Sequence, residues 1–328
     1  MKKIVFLIIF LGLFVNKVDA QSCWEGECSL DQFRVESEYK GEVISEAYWN
    51  YAPSVIREGY NNYQMWWCGA AKNGQGDQVD HIFYATSDDG INWENPRSVM
   101  EATGSAEGVH VCDPSVVKVD GTYYMYYTSD SPDNRSRDNS IFVATSTDGI
   151  NWNKQPSNDS PQPIIECSDK DGSYCVGQSS VFYRDGKFWH YYTNTRGPSG
   201  DDWNIYLKTS EDGINFVDEN GGQAVFGSGW GTNAVDVSFS MELNVFYMVY
   251  GAIKDNKIHW NVSKDGINWL EHNDSRVIQT DKNINHNPGI ATRPQGDMWS
   301  KAHVYYGGGS SDTPPWNLEA TEVDTSFD

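Results

Sequence analysis

Thr86-Ser-Asp-Asp-Gly-Ile-Asn-Trp93 returns as Thr145-Ser-Thr-Asp-Gly-Ile-Asn-Trp152, as Thr209-Ser-Glu-Asp-Gly-Ile-Asn-Phe216, and as Val262-Ser-Lys-Asp-Gly-Ile-Asn-Trp269. The Asp-Gly steps begin at 89, 148, 212 and 265, so the intervals are 59, 64 and 53 residues. Self-similarity at such a period means a repeat architecture. Asp-Gly between β-prone runs predicts a hairpin turn, because Gly accepts the positive φ of a tight turn. The aromatic three residues later then falls on the next strand, where it can pack on a neighbouring unit. These boxes read as builders of the fold, not as catalytic groups.

A second element precedes each box: Ala52-Pro-Ser-Val55, Asp113-Pro-Ser-Val116, Gln178-Ser-Ser-Val181, Asp236-Val-Ser-Phe239 and Asn287-Pro-Gly-Ile290. Aromatic strands follow, such as Tyr123-Tyr-Met-Tyr-Tyr-Thr128 and Phe188-Trp-His-Tyr-Tyr-Thr193. Five units of about sixty residues, each with four short strands, predict an all-β chain folded as a five-bladed β-propeller of four-stranded blades. The fifth unit lacks an Asp-Gly box, and the segment around Phe33-Arg-Val-Glu36 is expected to supply its fourth strand. Closure of that kind removes exposed sheet edges. With no Pro/Gly/Ser linker, residues 21–328 read as one domain.

The chain has 328 residues, with Lys+Arg 24 against Asp+Glu 46 and a formal net charge of −22. That charge repels phosphate backbones and anionic lipid, which argues against nucleic-acid and membrane-surface roles. Charged residues are only 21% and aromatics 14%, the composition of a globular chain and not of an acidic disordered one. Lys2-Lys3, the apolar run Ile4 to Val15 and Val18-Asp19-Ala20 read as a secretory signal peptide over 1–20, cut near Ala20. The run is too short to span a bilayer. A secreted or periplasmic location follows, with acylation of Cys23 the rival, though Ala20-Gln-Ser-Cys23 lacks the usual Leu. Six cysteines lie beyond the leader, and an even count in an exported chain favours disulfides. Cys167–Cys175 and Cys23–Cys28 would close short loops. There is no Cys-x-x-Cys pair for zinc.

In a blade, the first residue of the innermost strand sits at one mouth of the central channel, and the loop between second and third strands returns there. Ala52, Asp113, Gln178, Asp236 and Asn287 are therefore expected to ring that mouth, with Glu107, His110 and His286 close by. The long loops Gly69 to Asp80, Ser129 to Ser140 and Thr195 to Asn204 would border it, and loops over a rigid scaffold are where function concentrates. Trp49, Trp203 and Trp230 are candidates to stack on sugar faces. Asn50 and Arg196 are candidate polar contacts.

Asp113-Pro-Ser-Val-Val-Lys-Val-Asp-Gly-Thr-Tyr-Tyr-Met-Tyr-Tyr-Thr128 resembles the inner strands of five-bladed propeller glycoside hydrolases, family 43 above all, with families 32, 62 and 68. The boxes also resemble the Asp boxes of sialidases, but those carry an extra residue between Asp and Gly. The hydrolase resemblance implies acids at the mouth, and Asp113 and Asp236 are the positions carried over. Ala52 stands where the family places an Asp, and the family's acid Glu has no clear match, since Gln178 and Asn287 are amides. His286 or Glu107 is then the candidate proton donor. The expected function is a secreted glycoside hydrolase acting on plant or algal polysaccharide or oligosaccharide, with an inverting mechanism favoured because second and fourth blades face each other. The alternative is a non-catalytic carbohydrate-binding propeller that has lost part of its acid set. A monomer is expected, no cofactor is required, and the resemblance admits a calcium ion in the channel.

Overall fold

The computed structural model describes residues 28–45, 47–167, 171–195, 203–227, 231–311 and 313–327. The leader, Cys23, Arg196 and Trp230 lie outside the described residues. β1 (Phe33–Ile44) is followed by β2 (Asn50–Arg57), β3 (Tyr63–Lys72), β4 (Gln78–Ser87) and β5 (Glu94–Met100). Next come β6 (Val111–Val119), β7 (Thr122–Ser129), β8 (Ser140–Ser146) and β9 (Asn153–Lys154). β10 (Val176–Arg184), β11 (Lys187–Asn194), β12 (Asn204–Ser210), β13 (Val217–Asp218) and β14 (Phe226–Gly227) form the next set. β15 (Thr232–Ser240), β16 (Val245–Ala252) and β17 (Lys257–Ser263) precede β18 (Ile284–Thr292), β19 (Asp297–Met298), β20 (Lys301–Gly309) and β21 (Asn317–Phe327).

The sheets run β6-β7-β8-β9, β10-β11-β12-β13 with β14 also on β12, and β17-β16-β15-β19. An eight-stranded path, β1-β21-β20-β18-β2-β3-β4-β5, joins the chain's two ends. β1 lies antiparallel on β21 as the sequence analysis expects, from Phe33 opposite Phe327 to Ile44 opposite Leu318. The first strands touch in a circuit: β2 with β6, β6 with β10, β10 with β15, β15 with β18, and β18 with β2.

The Asp-Gly boxes join antiparallel strands as expected, β4 to β5, β8 to β9 and β12 to β13, and each is a wide turn centred on a carboxylate. Asp89 Oδ1 accepts the N–H groups of Ile91 and Asn92, and Oδ2 accepts from the Asn92 side chain. Asp148, Asp212 and Asp265 repeat the pattern. Gly90, Gly149, Gly213 and Gly266 have φ of 78°, 75°, 75° and 74°.

Their carbonyls receive a polar hydrogen from a neighbouring set. Tyr305 donates to Gly90 at 2.7 Å, Trp66 Nε1 to Gly149 at 2.7 Å, Tyr126 to Gly213 at 2.9 Å and Tyr191 to Gly266 at 2.9 Å. These donors share one register position, opposite Gly289, Ser54, Ser115 and Ser180 respectively. At the equivalent position opposite Asp236 stands Val249. The set after it has no box to receive a donor.

Gly149→Ala is expected to destabilise the fold by more than the roughly 1–2 kcal/mol that a left-handed φ costs a non-Gly residue, because a Cβ there would lie 2.8 Å from the Trp66 ring. Gly121→Ala, at φ 82° in open space, should cost only the backbone term. Urea midpoints of the two variants check the difference.

Candidate active site

Every first strand carries a bulge. Register breaks fall at Tyr51/Ser54, Cys112/Ser115, Gly177/Ser180, Asn233/Val235 and His286/Gly289. A bulge re-aims a side chain, and the re-aimed residues are Ala52, Asp113, Gln178, Ala234 and Asn287, with φ between 46° and 54°. Four of the five expected mouth positions hold. In the fourth set the position is Ala234, which corrects the register by two residues.

Asp236 instead takes the place that Ser54, Ser115 and Ser180 occupy in their sets. Those hydroxyls accept the N–H of Val116, Val181 and Val237 at 2.9, 2.8 and 2.8 Å. Asp236 Oδ2 accepts the N–H of Ile290 at 2.6 Å, and Oδ1 accepts the Ser180 hydroxyl at 2.7 Å. Both of its oxygens are committed to holding strands together, although the residue borders the channel. At the fifth junction the place belongs to Gly289, whose added Cβ would fall 1.9 Å from the Pro53 carbonyl oxygen. There the strands pair directly, Ala291 beside Val55.

Above these bonds lies a cavity of about 290 Å³ walled by Asp113, Gln178, Asn287, Tyr174, Tyr51 and Asp80, among others. Asp113 is 7% exposed. Tyr174 donates to its Oδ2 at 3.1 Å, and Asn287 Nδ2 lies 3.5 Å from Oδ1. Burial pushes the Asp113 carboxyl up to about 6, partly offset by the Thr128 and Tyr174 hydroxyls and reinforced by the charge of Asp80. Gln178 Oε1 accepts the N–H of Ala234, so this amide spans two sets.

His286 reaches the site through Asn287. An ionised Asp113 can only accept, so the Asn287 amide turns its nitrogen to it and its oxygen to His286 Nδ1, 2.8 Å away. Nδ1 then carries the proton, and Nε2 is left buried and unpartnered beside Gly307. Burial holds the imidazole below its ordinary pKa. As placed, His286 positions Asn287 and Asn287 positions Asp113, and direct proton transfer from His286 is not supported.

Glu107 is corrected outright. It is fully buried, with Lys154 on Oε2 at 2.6 Å and Tyr127 on Oε1 at 2.6 Å, and it is not among the cavity's lining residues. Asn50 is also fully buried, bonded to Ala47, Trp316 and Trp67. Trp49 meets the site only through its Nε1, which donates to Asp80. Trp203 packs on Tyr174 with centroids 5.1 Å apart. His110 is at the wall, its Nδ1 2.9 Å from Asp80 Oδ2.

Asp80, Tyr174 and Trp316 were missed by the sequence analysis, and so was the disulfide Cys68–Cys112. Cys167–Cys175 forms as expected, and the Cys23–Cys28 pairing lies outside the described residues. Ala52 packs against the Cys68–Cys112 bridge, so sulfur fills the ground beside the absent Asp. A carboxylate oxygen of Asp80 lies within 4.8 Å of the Cys112 sulfur, and Asp113 Oδ1 lies 3.5 Å from it. The two carboxylates are thus neighbours across one sulfur atom. Because both cysteines are bonded, they and Asp80 do not make a metal site. Calcium needs six or more oxygens, and the committed oxygens of Asp236 and Gln178 do not fit such a cage.

The model of the family described as glycosyl hydrolases family 32 N-terminal domain matches residues 45–233. An uncharacterized protein of Mycobacterium tuberculosis (strain CDC 1551 / Oshkosh) is 34% identical over 102 residues, 30% of this chain and 32% of that protein. A 1,2-beta-oligomannan phosphorylase of Thermoanaerobacter sp. (strain X514) is 36% identical over 83 residues, 24% of this chain and 27% of that protein. The chain therefore spans about a third or less of the length of these curated relatives. Among solved structures, Zg3597, a family 117 glycoside hydrolase of the marine bacterium Zobellia galactanivorans, superposes with TM-score 0.66 at 14% identity, over 89% of this chain and 91% of that one.

The raised Asp113 carboxyl makes a stability prediction. Folded, it titrates at about 6; unfolded, near ~3.9. The folded state binds the proton more tightly, so stability falls as pH rises between those values. Asp113→Asn should match the native protein near pH ~4 and exceed it by on the order of 1–3 kcal/mol near pH ~7. The parallel slope of Asp236, also pushed to about 6 by burial, should remain in the variant. Urea unfolding at the two pH values checks this.

Proposed function

The chain belongs to the glycosyl hydrolase family 32 N-terminal domain family, and from that premise we propose that it is a secreted, inverting glycosidase of plant or algal oligosaccharide or polysaccharide. The observation that carries the proposal is the cavity in which Asp113, with its carboxyl at about 6, shares a wall with Asp80. Asp113 in its acid form protonates the glycosidic oxygen, and Asp80 takes a proton from the water that attacks the anomeric carbon. Asp113 ends ionised and Asp80 protonated, and exchange with solvent resets both. Proximity to one sulfur caps the separation of the nearest carboxylate oxygens at about 8 Å, a limit that admits both the roughly 6.5–9.5 Å of inverting enzymes and the roughly 5–5.5 Å of retaining ones.

The five first strands touching in a circuit support one domain of five blades, with β1 completing the last and β18 on β2 sealing the ring. The two described disulfides are compatible with export. No described helix is long and apolar enough to cross a membrane.

A second reading rests on Gln178 and Asn287, amides where a fuller acid set would stand. If inorganic phosphate is the nucleophile, one protein acid suffices: phosphate oxygen bonds to the anomeric carbon, the glycosidic bond breaks, and Asp113 protonates the leaving sugar. The matched phosphorylase relative supports that chemistry.

Product analysis on arabinan, xylan, fructan, mannan and charged algal glycans, with and without phosphate, tests both readings. Free sugar without phosphate, lost at least ~100-fold in Asp113→Asn and Asp80→Asn, is the expected result. Sugar 1-phosphate formed only with phosphate would favour the second reading. No product under either condition would overturn both and leave a carbohydrate-binding protein. Asp236→Asn should retain release.

A further inference from the structure

β2 carries Tyr51 into the mouth near its start, and its last residue, Arg57, borders a second cavity of about 520 Å³ at the other end of that strand. That cavity lies on the side of the Asp-Gly turns, where Gly90 abuts Tyr63 and His303. Arg57 is packed among three rings, with centroids of Tyr60, Tyr63 and Trp299 at 5.7, 5.1 and 4.8 Å. Its Nε donates to the Gly59 carbonyl at 3.0 Å. Its Nη2 also points at the Tyr60 carbonyl, 3.5 Å away, so a guanidinium held by aromatic faces and its own loop presents Nη1 in a fixed direction, with little entropy left to lose on binding.

Tyr60 is 89% exposed. Its neighbours across the cavity supply both hydrogen-bonding senses: Lys301, exposed and ion-paired with Glu322 at 3.0 Å, has further N–H groups to donate, while the carboxylates of Glu322 and Glu242, the latter also accepting the N–H of Ser300, are acceptors. An exposed ring face beside mixed donors and acceptors matches a sugar, whose C–H face is apolar and whose rim of hydroxyls both donates and accepts.

We propose that this far-side cavity is a second glycan-binding site, separate from the mouth, with Tyr60 as its platform and Arg57 and Lys301 gripping hydroxyls. It rests on membership of a carbohydrate-active family and not on catalysis at the mouth. Its role is to hold a long chain to the protein while another stretch occupies the mouth.

Affinity electrophoresis in gels containing xylan, arabinan, levan or yeast mannan tests it, using native protein, Tyr60→Ala and Lys301→Ala. Both substitutions are at exposed positions, and thermal melting confirms that the fold is kept. At least one glycan should retard the native protein, and each variant should lose half or more of that retardation, with release from a short oligosaccharide unchanged. Equal retardation of native and both variants, or no retardation by any glycan, would overturn the proposal. Loss of the mouth reading alone would look different: no sugar released, with retardation still dependent on residue 60.

Discussion

The bond from an aromatic side chain to the glycine carbonyl of the next set's Asp box holds this fold in register. A buried carbonyl without a partner costs roughly 1–3 kcal/mol, so each box demands a donor from its neighbour, and Trp66, Tyr126, Tyr191 and Tyr305 meet that demand. The glycine is needed twice over, for its positive φ and for the absence of a Cβ where the ring arrives. Where the next set has no box, the donor position is Val249. Presence and absence are matched around the whole circuit.

The mouth inherits its geometry from that outer fastening. Once neighbouring sets are fixed, the bulged first strands meet near the axis and bond through Ser54, Ser115, Ser180 and Asp236. Two residues before that belt, re-aimed by the bulge, stand Asp113, Gln178 and Asn287. An Asp at 113 is therefore held in a desolvated position, and its carboxyl rises toward the range where a general acid works near neutral pH. The chain has Ala at 52 and a disulfide beside it, and the neighbouring carboxylate comes from Asp80 on β4 instead.

The repeat was legible because identical turns need identical residues, and four Asp-Gly-Ile-Asn boxes announce themselves. Four of the mouth positions were legible for the same reason, each opening an x-Pro-Ser-Val-like phrase. Asp236 was misread because Asp236-Val-Ser-Phe239 mimics that phrase two residues late; the bulge between Asn233 and Val235 and the positive φ of Ala234 show the true register. Glu107 could not be told from a site acid by sequence, since its partner Lys154 comes from β9. In the sequence Asp80 reads only as the end of a loop. Cys68 and Cys112 held the hint, because Cys112 precedes Asp113 directly, but fifteen pairings of six cysteines hide it.

The central claim is that Asp113 and Asp80 address the same sugar linkage. A crystal structure of Asp113→Asn with the oligosaccharide that the native protein cleaves tests it most directly. The account predicts sugar in the mouth cavity, its glycosidic oxygen within hydrogen-bond distance of residue 113, and a water held by Asp80 on the opposite side of the anomeric carbon. Sugar bound outside that cavity, or inside it with no water held between Asp80 and the anomeric carbon, would contradict the account.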